Sequence, residues 1–352
     1  MRTLILTSIL GLLAFMTLTG CNRCSGNSPI QMGATGIAYE VVVVADDAVW
    51  NDPAGQQVKA ELQRPVQGLP QDEPSMRITH VLPADFNGMM KYVRNILIVN
   101  VDASVYTKVS LNAEKDRWAK GQVVVQLNAP DKAALSDYLT AHPRGLTSYY
   151  SKIEMMRMAA VLRKTFSTLV YEKVQEQFGV TLNVPEDFNS YKDTVNFFWA
   201  SNNANKGRMD VVVYIFPYTN PNTFTKEYLI AMRDSTLGAN IPGAFPDSHM
   251  ATDTSTVQYS AITLQGKYCG VLRGLWYVKG DKMGGPFVSY ARLDEVNNRI
   301  VVVEGFVYSP DTDKRNYMRR MEAALQTVRL PGDKDQPLDY PEIVIQPSNE
   351  QS

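Results

Sequence analysis

The sequence predicts an α+β fold built from two units of antiparallel sheet packed with helices. Three observations carry this. β-branched runs of strand length alternate with stretches of helical period. A long helical face stops at Gly179, near the middle of the chain. Beyond it, four strand-like runs follow one another with only short turns between them. Hydrophobic residues make up 45% of the 352 and charged residues 20%, so sizeable cores can form and wholesale disorder is excluded. The length suits two domains. The net charge is −1, which leaves no basic excess for nucleic acid.

The N-terminus carries an address. Arg2 supplies a positive start, and residues 4–18 form an apolar run broken only by Thr7, Ser8, Gly11 and Thr17. Leu18-Thr19-Gly20-Cys21 closes it. That run is too short for a membrane span, which takes about 20 apolar residues. Its end resembles the lipobox of bacterial lipoproteins, which implies a signal peptide over 1–20, lipidation of Cys21 and a tether over 21–37. By the enterobacterial sorting rule Asn22 permits outer-membrane transfer, and no acidic run follows Cys21 to signal surface export. The expected location is the outer membrane, lipid-anchored and facing the periplasm. Cys21 and Cys24 spell C-x-x-C, but a lipidated cysteine in a tether is no redox site. Cys269 lies in an apolar run and is expected to be buried and free, with a Cys24–Cys269 pair as the alternative.

The first unit is expected over 38–178. Residues 39–45 form an apolar β-branched run, hence a buried strand. Asp52-Pro53 starts a helix with Asp as cap, and Val58 and Leu62 share one face. Residues 76–82, 95–101 and 121–127 read as strands, and 131–140 as a helix broken by Pro143-Arg144-Gly145. Residues 148–178 read as one long helix, with Leu162, Phe166, Leu169, Val170, Val174 and Phe178 on one face and Lys164 and Lys173 solvated.

The second unit is expected over 179–330, with a Pro-rich tail over 331–352. Residues 180–184 read as a strand that runs into Pro185-Glu-Asp-Phe-Asn189, matching Pro83-Ala-Asp-Phe-Asn87 after the strand at 76–82. A divergent duplication is one expectation from this match, and coincidence is the other. Residues 209–216 form a strand, 223–234 a helix and 241–256 a loop. The runs 257–264, 268–279, 287–293 and 299–308 form an antiparallel meander. Residues 310–328 close the unit as a helix capped by Asp311 or Thr312, with Tyr317, Met321, Leu325 and Val328 buried and Lys314, Arg315, Arg319 and Arg320 solvated. This order resembles the PsbP-like fold, and the resemblance implies architecture alone.

Arg273-Gly-Leu-Trp276, Met283-Gly-Gly-Pro-Phe287-Val-Ser-Tyr290, Glu304-Gly-Phe-Val-Tyr-Ser-Pro310 and Asp313-Lys-Arg-Asn-Tyr317 are similar to segments of a group of Bacteroidota lipoproteins catalogued only as a domain of unknown function. The resemblance spans about residues 39–330. It implies the address and no catalytic residues.

Among chemical motifs, no Gly-x-Ser-x-Gly, phosphate-binding loop, dinucleotide fingerprint, His-Glu-x-x-His or calcium loop is present. His80, His142 and His249 lack metal-ligand spacing, so no metal and no cofactor are expected. Asp247-Ser248-His249 holds three triad residue types in a row, but triad members converge from separated positions, so a loop is expected there. Met283-Gly284-Gly285-Pro286-Phe287 is the most distinctive segment. It reads either as a hairpin connection leading to an edge strand or as a rigid loop that presents Met283 and Phe287 to a partner beside Arg273, Trp276 and Tyr290. Asp294 and Glu304 lie near neighbouring strands, either paired for acid–base work or as ordinary surface acids. The expected function is a non-enzymatic binding or envelope-assembly module with a protein or glycan partner. The alternative is a hydrolase of envelope glycan or peptide using Asp294, Glu304 or the Ser248-His249 loop.

Overall fold

The computed structural model describes residues 31–334. Cys21, Asn22, Cys24 and the tail from residue 335 lie outside them. The first unit opens with β1 (Glu40–Val44), α1 (Asp47–Trp50), α2 (Pro53–Leu62) and β2 (Arg77–Val81). Asp52 caps α2, its Oδ1 accepting from Ala54 N at 3.1 Å, and Pro53 fills the first helical position. β3 (Asn95–Val101), β4 (Ser110–Lys115) and β5 (Val123–Ala129) complete a five-stranded sheet in the order β2-β1-β3-β5-β4. α3 (Lys132–Ala141) and α4 (Gly145–Leu162) then pack on it. Arg144 at φ 69° makes the left-handed break between them.

The first sheet corrects the antiparallel expectation. β1 runs parallel to β2 and to β3, and β3 parallel to β5; β4 is antiparallel. The cause lies in the residues. α1 and α2 form the crossover that a parallel pair needs. The valines of β1 bury both faces of the strand: Val41 and Val43 meet the helices, while Val42 and Val44 lie under Val93, Phe86 and Trp118.

Residues 148–178 form two helices, not one. α4 stops at Leu162, and α5 (Thr168–Phe178) starts after Ser167. Ser167 Oγ accepts from Val170 N at 3.3 Å and donates to the Phe188 carbonyl at 2.7 Å. A serine that can cap competes with helix continuation. Gly179 ends α5 at φ 65° as expected.

The second sheet comprises β6 (Ser190–Thr194), β7 (Phe197–Ser201), β8 (Arg208–Pro217), β9 (His249–Leu264), β10 (Lys267–Lys279), β11 (Gly284–Asp294) and β12 (Arg299–Tyr308), with α6 (Lys226–Asn240) after β8 and α7 (Arg315–Leu325) at the end. Its order is β6-β7-β8-β12-β11-β10-β9, antiparallel throughout. The expected meander is present. Residues 249–256 belong to β9 rather than to a loop. Residues 180–184 form no ladder: Thr181 makes a single bridge to Arg329, while Val180, Leu182 and Val184 fill the core. One sheet is mostly parallel and the other antiparallel, so the repeated Pro-x-Asp-Phe-Asn reflects a local turn and not a duplicated topology.

Both faces of the second sheet are covered. α5, α7 and the end of α4 pack on Val211, Val213, Val288, Val301 and Val303. α6 packs on Val212, Tyr214, Leu272 and Val302. The start of α7 corrects the Asp311 or Thr312 cap. The cap comes from the first unit: the Glu73 carboxylate accepts from Lys314 N at 2.7 Å and from Arg315 N at 2.8 Å. Arg315 donates to the Pro74 carbonyl at 2.6 Å. Lys314 and Arg315 are therefore buried between the units, not solvated. Arg320 remains near the surface, 3.3 Å from Asp187.

Candidate functional site

The segment from Met283 to Tyr290 does not form an exposed patch. β11 is a central strand between β10 and β12, not an edge. Phe287 and Tyr290 are buried on opposite faces of the sheet. Gly285, Pro286 and Trp276 are buried, and Met283 and Gly284 half-buried. Arg273 is half-buried and ion-paired with Glu322. Pro286 is tolerated because the ladder from β11 to β12 begins at Phe287.

Trp276 nevertheless lines a cavity of about 170 Å³ where the sheet extends past the cover of α6. The register explains it. Trp276 on β10 lies opposite Gly285 on β11, and Phe306 and Tyr308 on β12 lie in line with Asp210 and Arg208 on β8. All point to the α6 face. Gly285 leaves the room that the indole occupies: a methyl group there would collide with the Val307 carbonyl and sit 3.2 Å from Trp276 Nε1. The Trp276 ring meets Phe306 edge-on at 5.4 Å and Tyr308 at 6.4 Å. Trp199, Met250 and Met283 complete the walls, with the chain from Ile241 to Ala244 above. On its other side Trp276 lines an open depression of about 690 Å³.

Two polar atoms of this cavity's lining residues have no protein partner. Asp210 Oδ1 accepts from Trp199 Nε1 at 2.9 Å and from Arg208 Nη2 at 2.9 Å, but Asp210 Oδ2 is buried and unpartnered. Trp276 Nε1 is buried and unpartnered as well. Burial pushes the Asp210 carboxyl above its ordinary value, against the pull of the Arg208 charge and the bonds from Arg208 and Trp199. Asp210 and Trp199 escaped the sequence reading. The available signal was an acid opening the apolar run Asp210-Val-Val-Val.

Asp294 and Glu304 are both fully buried, which corrects both the acid–base pair and the surface-acid alternative. Glu304 pairs across the ladder with Ser289 on the α6 face, and Asp294 pairs with Arg299 on the opposite face. Each has its own arginine. Asp294 Oδ2 accepts from Arg299 Nε at 2.9 Å. Glu304 accepts from Arg233 Nε at 2.9 Å and Nη2 at 2.7 Å. The Arg233 guanidinium lies 3.9 Å from the centre of the Phe287 ring, and its Nη1 donates to Thr252 Oγ1 at 2.6 Å. This satisfied pair anchors α6 beneath the sheet beside the cavity.

Asp247, Ser248 and His249 form a local turn. Ser248 Oγ bonds the backbone of Phe245, and His249 Nδ1 faces the Asp247 carbonyl at 3.1 Å. Among the described residues Cys269 has no disulfide partner; it is buried, and burial pushes its thiol up to about 12. Among the described residues no group of His, Cys, Asp and Glu is arranged to hold a metal ion, and no helix is long and apolar enough to cross a membrane.

Residues 167–327 match the family model described as a domain of unknown function (DUF4837). Residues 34–163 match a second one (DUF8532). The two matches meet at the break between α4 and α5. No curated protein matches the chain. Among solved structures, the Saccharomyces cerevisiae Ran-binding protein Mog1p is similar at 11% identity and a TM-score of 0.29, over 43% of this chain and 89% of that one. A Bacteroides thetaiotaomicron protein is similar at 10% identity and a TM-score of 0.19, over 43% of this chain and 44% of that one. Scores at this level carry no argument about function.

Proposed function

We propose that the protein is a lipoprotein anchored through Cys21 in the outer membrane, facing the periplasm, and that its second unit binds a single hydroxylated ring of an envelope glycan. The ligand reading rests on one observation: an unpartnered acceptor, Asp210 Oδ2, and an unpartnered donor, Trp276 Nε1, belong to residues that line the same aromatic cavity. Each buried polar atom without a partner costs about 1–3 kcal/mol. A sugar ring supplies hydroxyls that both donate and accept, and C–H faces that pack on aromatic rings. Arg208 already balances the Asp210 charge at 2.9 Å, which favours a neutral ligand over an ammonium group. At about 170 Å³ the cavity is smaller than the ~300–1,000 Å³ of drug-sized sites, so it suits one ring. Glycoside hydrolysis uses two carboxylates flanking the bond, and among the described residues Asp210 is the only carboxylate lining this cavity. That supports binding over hydrolysis.

Calorimetric titration with free monosaccharides and soluble peptidoglycan fragments tests the ligand. In Asp210→Asn the amide oxygen keeps the bonds from Trp199 and Arg208, so an N–H₂ takes the place of Oδ2 and the unpartnered acceptor is lost. That variant and Trp276→Phe should each weaken binding about tenfold with circular dichroism unchanged. Absence of binding to the parent protein, or equal binding by both variants, rejects the site. The address has its own test. Cys21→Ser should lose palmitate labelling, and label that persists would refute lipidation there.

A further inference from the structure

A second opening lies between the two units, on the far side of the second sheet from the aromatic cavity. Its volume is about 760 Å³, and its walls come from the chain after α2, the start of α4, β10 and α7. Its charge is one-sided. Arg64, Arg144, Lys152, Arg273 and Arg319 line it against one lining carboxylate, Glu322. Arg64 is answered by Glu61 at 2.6 Å, just outside the lining. Arg273 and Arg319 share Glu322. Five cations against these two acids leave a local excess of three, in a chain whose net charge is −1. Arg144 and Lys152 are exposed at the rim and have no ion-pair partner among the described residues.

The floor is incomplete in the matching sense. Ser151 on α4 is 7% exposed, and its Oγ has no partner. Arg319 Nε is likewise buried without a partner. An oxyanion accepts hydrogen bonds from hydroxyl and guanidinium donors alike and is bound most strongly by charged ones. The start of α4 adds little, because the Glu61 carboxylate already faces Thr147 N at 3.5 Å. The argument therefore rests on side chains.

We propose that this inter-unit cleft binds a small soluble ligand bearing a phosphoryl or carboxylate group. The anion sits between Arg144 and Lys152 on one wall and Arg319 on the other, with Ser151 below. Clefts between packed units are favoured places for small-ligand sites. Because the walls belong to different units, the ligand holds the first unit to the second. This site is independent of the aromatic cavity, and neither reading needs the other.

The test uses the full-length protein titrated with inorganic phosphate, pyrophosphate and citrate at constant ionic strength, read by calorimetry and by the shift in Tm. Saturable binding of at least one probe is expected. Arg144→Asn with Lys152→Gln should weaken it about tenfold or more. Both positions are exposed, and asparagine tolerates the left-handed backbone of residue 144 at φ 69°, so the double variant should keep the parental Tm without ligand. Arg144→Lys with Lys152→Arg should retain binding. Vesicles of anionic phospholipid form a separate arm. No saturable binding of any probe, equal binding by the double variant, or binding confined to the vesicles would each overturn the proposal, the last in favour of a lipid headgroup.

Discussion

Glu322 is buried between Arg273 and Arg319, and its protonation tunes the contact between β10 and α7. Burial alone would raise its carboxyl. The Arg273 and Arg319 charges, with hydrogen bonds from Arg273 and Tyr290, outweigh burial and hold it below the ordinary carboxylate value. The sign follows from linkage. A folded-state value below the unfolded one of about 4.3 means that the stabilisation is complete above that pH and is lost as pH falls through the folded value. Glu322→Gln should therefore flatten the acid limb of a stability-versus-pH curve below about pH 4.3. Near neutrality it should cost about 1–3 kcal/mol, since two partly exposed guanidinium groups lose their counter-charge while the amide oxygen still accepts. Urea titrations of both proteins across pH 3–7 check this, and parallel acid limbs would assign the acid sensitivity elsewhere. Glu304 differs: burial dominates there and raises its carboxyl despite Arg233. The same kind of pair thus responds oppositely to acid, according to how completely its arginines compensate its burial.

At the scale of elements, the start of α7 depends on a residue 241 positions away. Glu73 accepts from Lys314 N and Arg315 N, two of the donors that a helix start leaves unsatisfied. Glu73→Ala should cost about 1–3 kcal/mol, and Glu73→Gln less because one acceptor oxygen remains. Denaturant midpoints measure both, and an unchanged midpoint in Glu73→Ala would show that α7 begins without help. This cap also marks where sequence reading stops. Local caps were legible: Asp52 before Pro53, and Gly179 after Phe178, lie within a turn of what they cap. The strands of the meander were legible from β-branched runs and turns. β4 was not, because Ser110–Lys115 has a single buried residue, Leu111, and reads as polar chain. The parallel sense of the first sheet was half legible in the consecutive valines of β1. The Trp276 position was singled out for its neighbours' glycines and aromatics. Its partner Asp210 was not, because strand register, not sequence distance, brings β8 into line with β10.

For the whole molecule, two helices, α4 and α7, decide how the units meet. α4 gives Leu146, Tyr150 and Ile153 to the first core and Met155 and Leu162 to the second. α7 packs against it and takes its cap from the first unit. α5 serves the second sheet alone. The second sheet is thus a buried layer between α6 and these helices, and its two faces carry separate openings: the aromatic cavity on one and the cationic cleft on the other. Neither needs an exposed sheet face: the aromatic cavity is walled by strand side chains and the chain after α6, and the cleft mainly by α4, α7 and the chain after α2.

The partition formed by Trp276 has an optical consequence. The chain holds four tryptophans. Trp50 stacks on His80 at 4.7 Å, and Trp118 lies beneath the Arg117 guanidinium at 4.6 Å, both in the first unit. Trp199 and Trp276 both line the cavity. Half of the chain's indoles therefore stand at the walls of one cavity, and a guest there changes the surroundings of those two and not of the other two. The wavelength and quenching of native fluorescence make an unlabelled gauge of occupancy, one already built into the wall that separates the cavity from the open depression beside it.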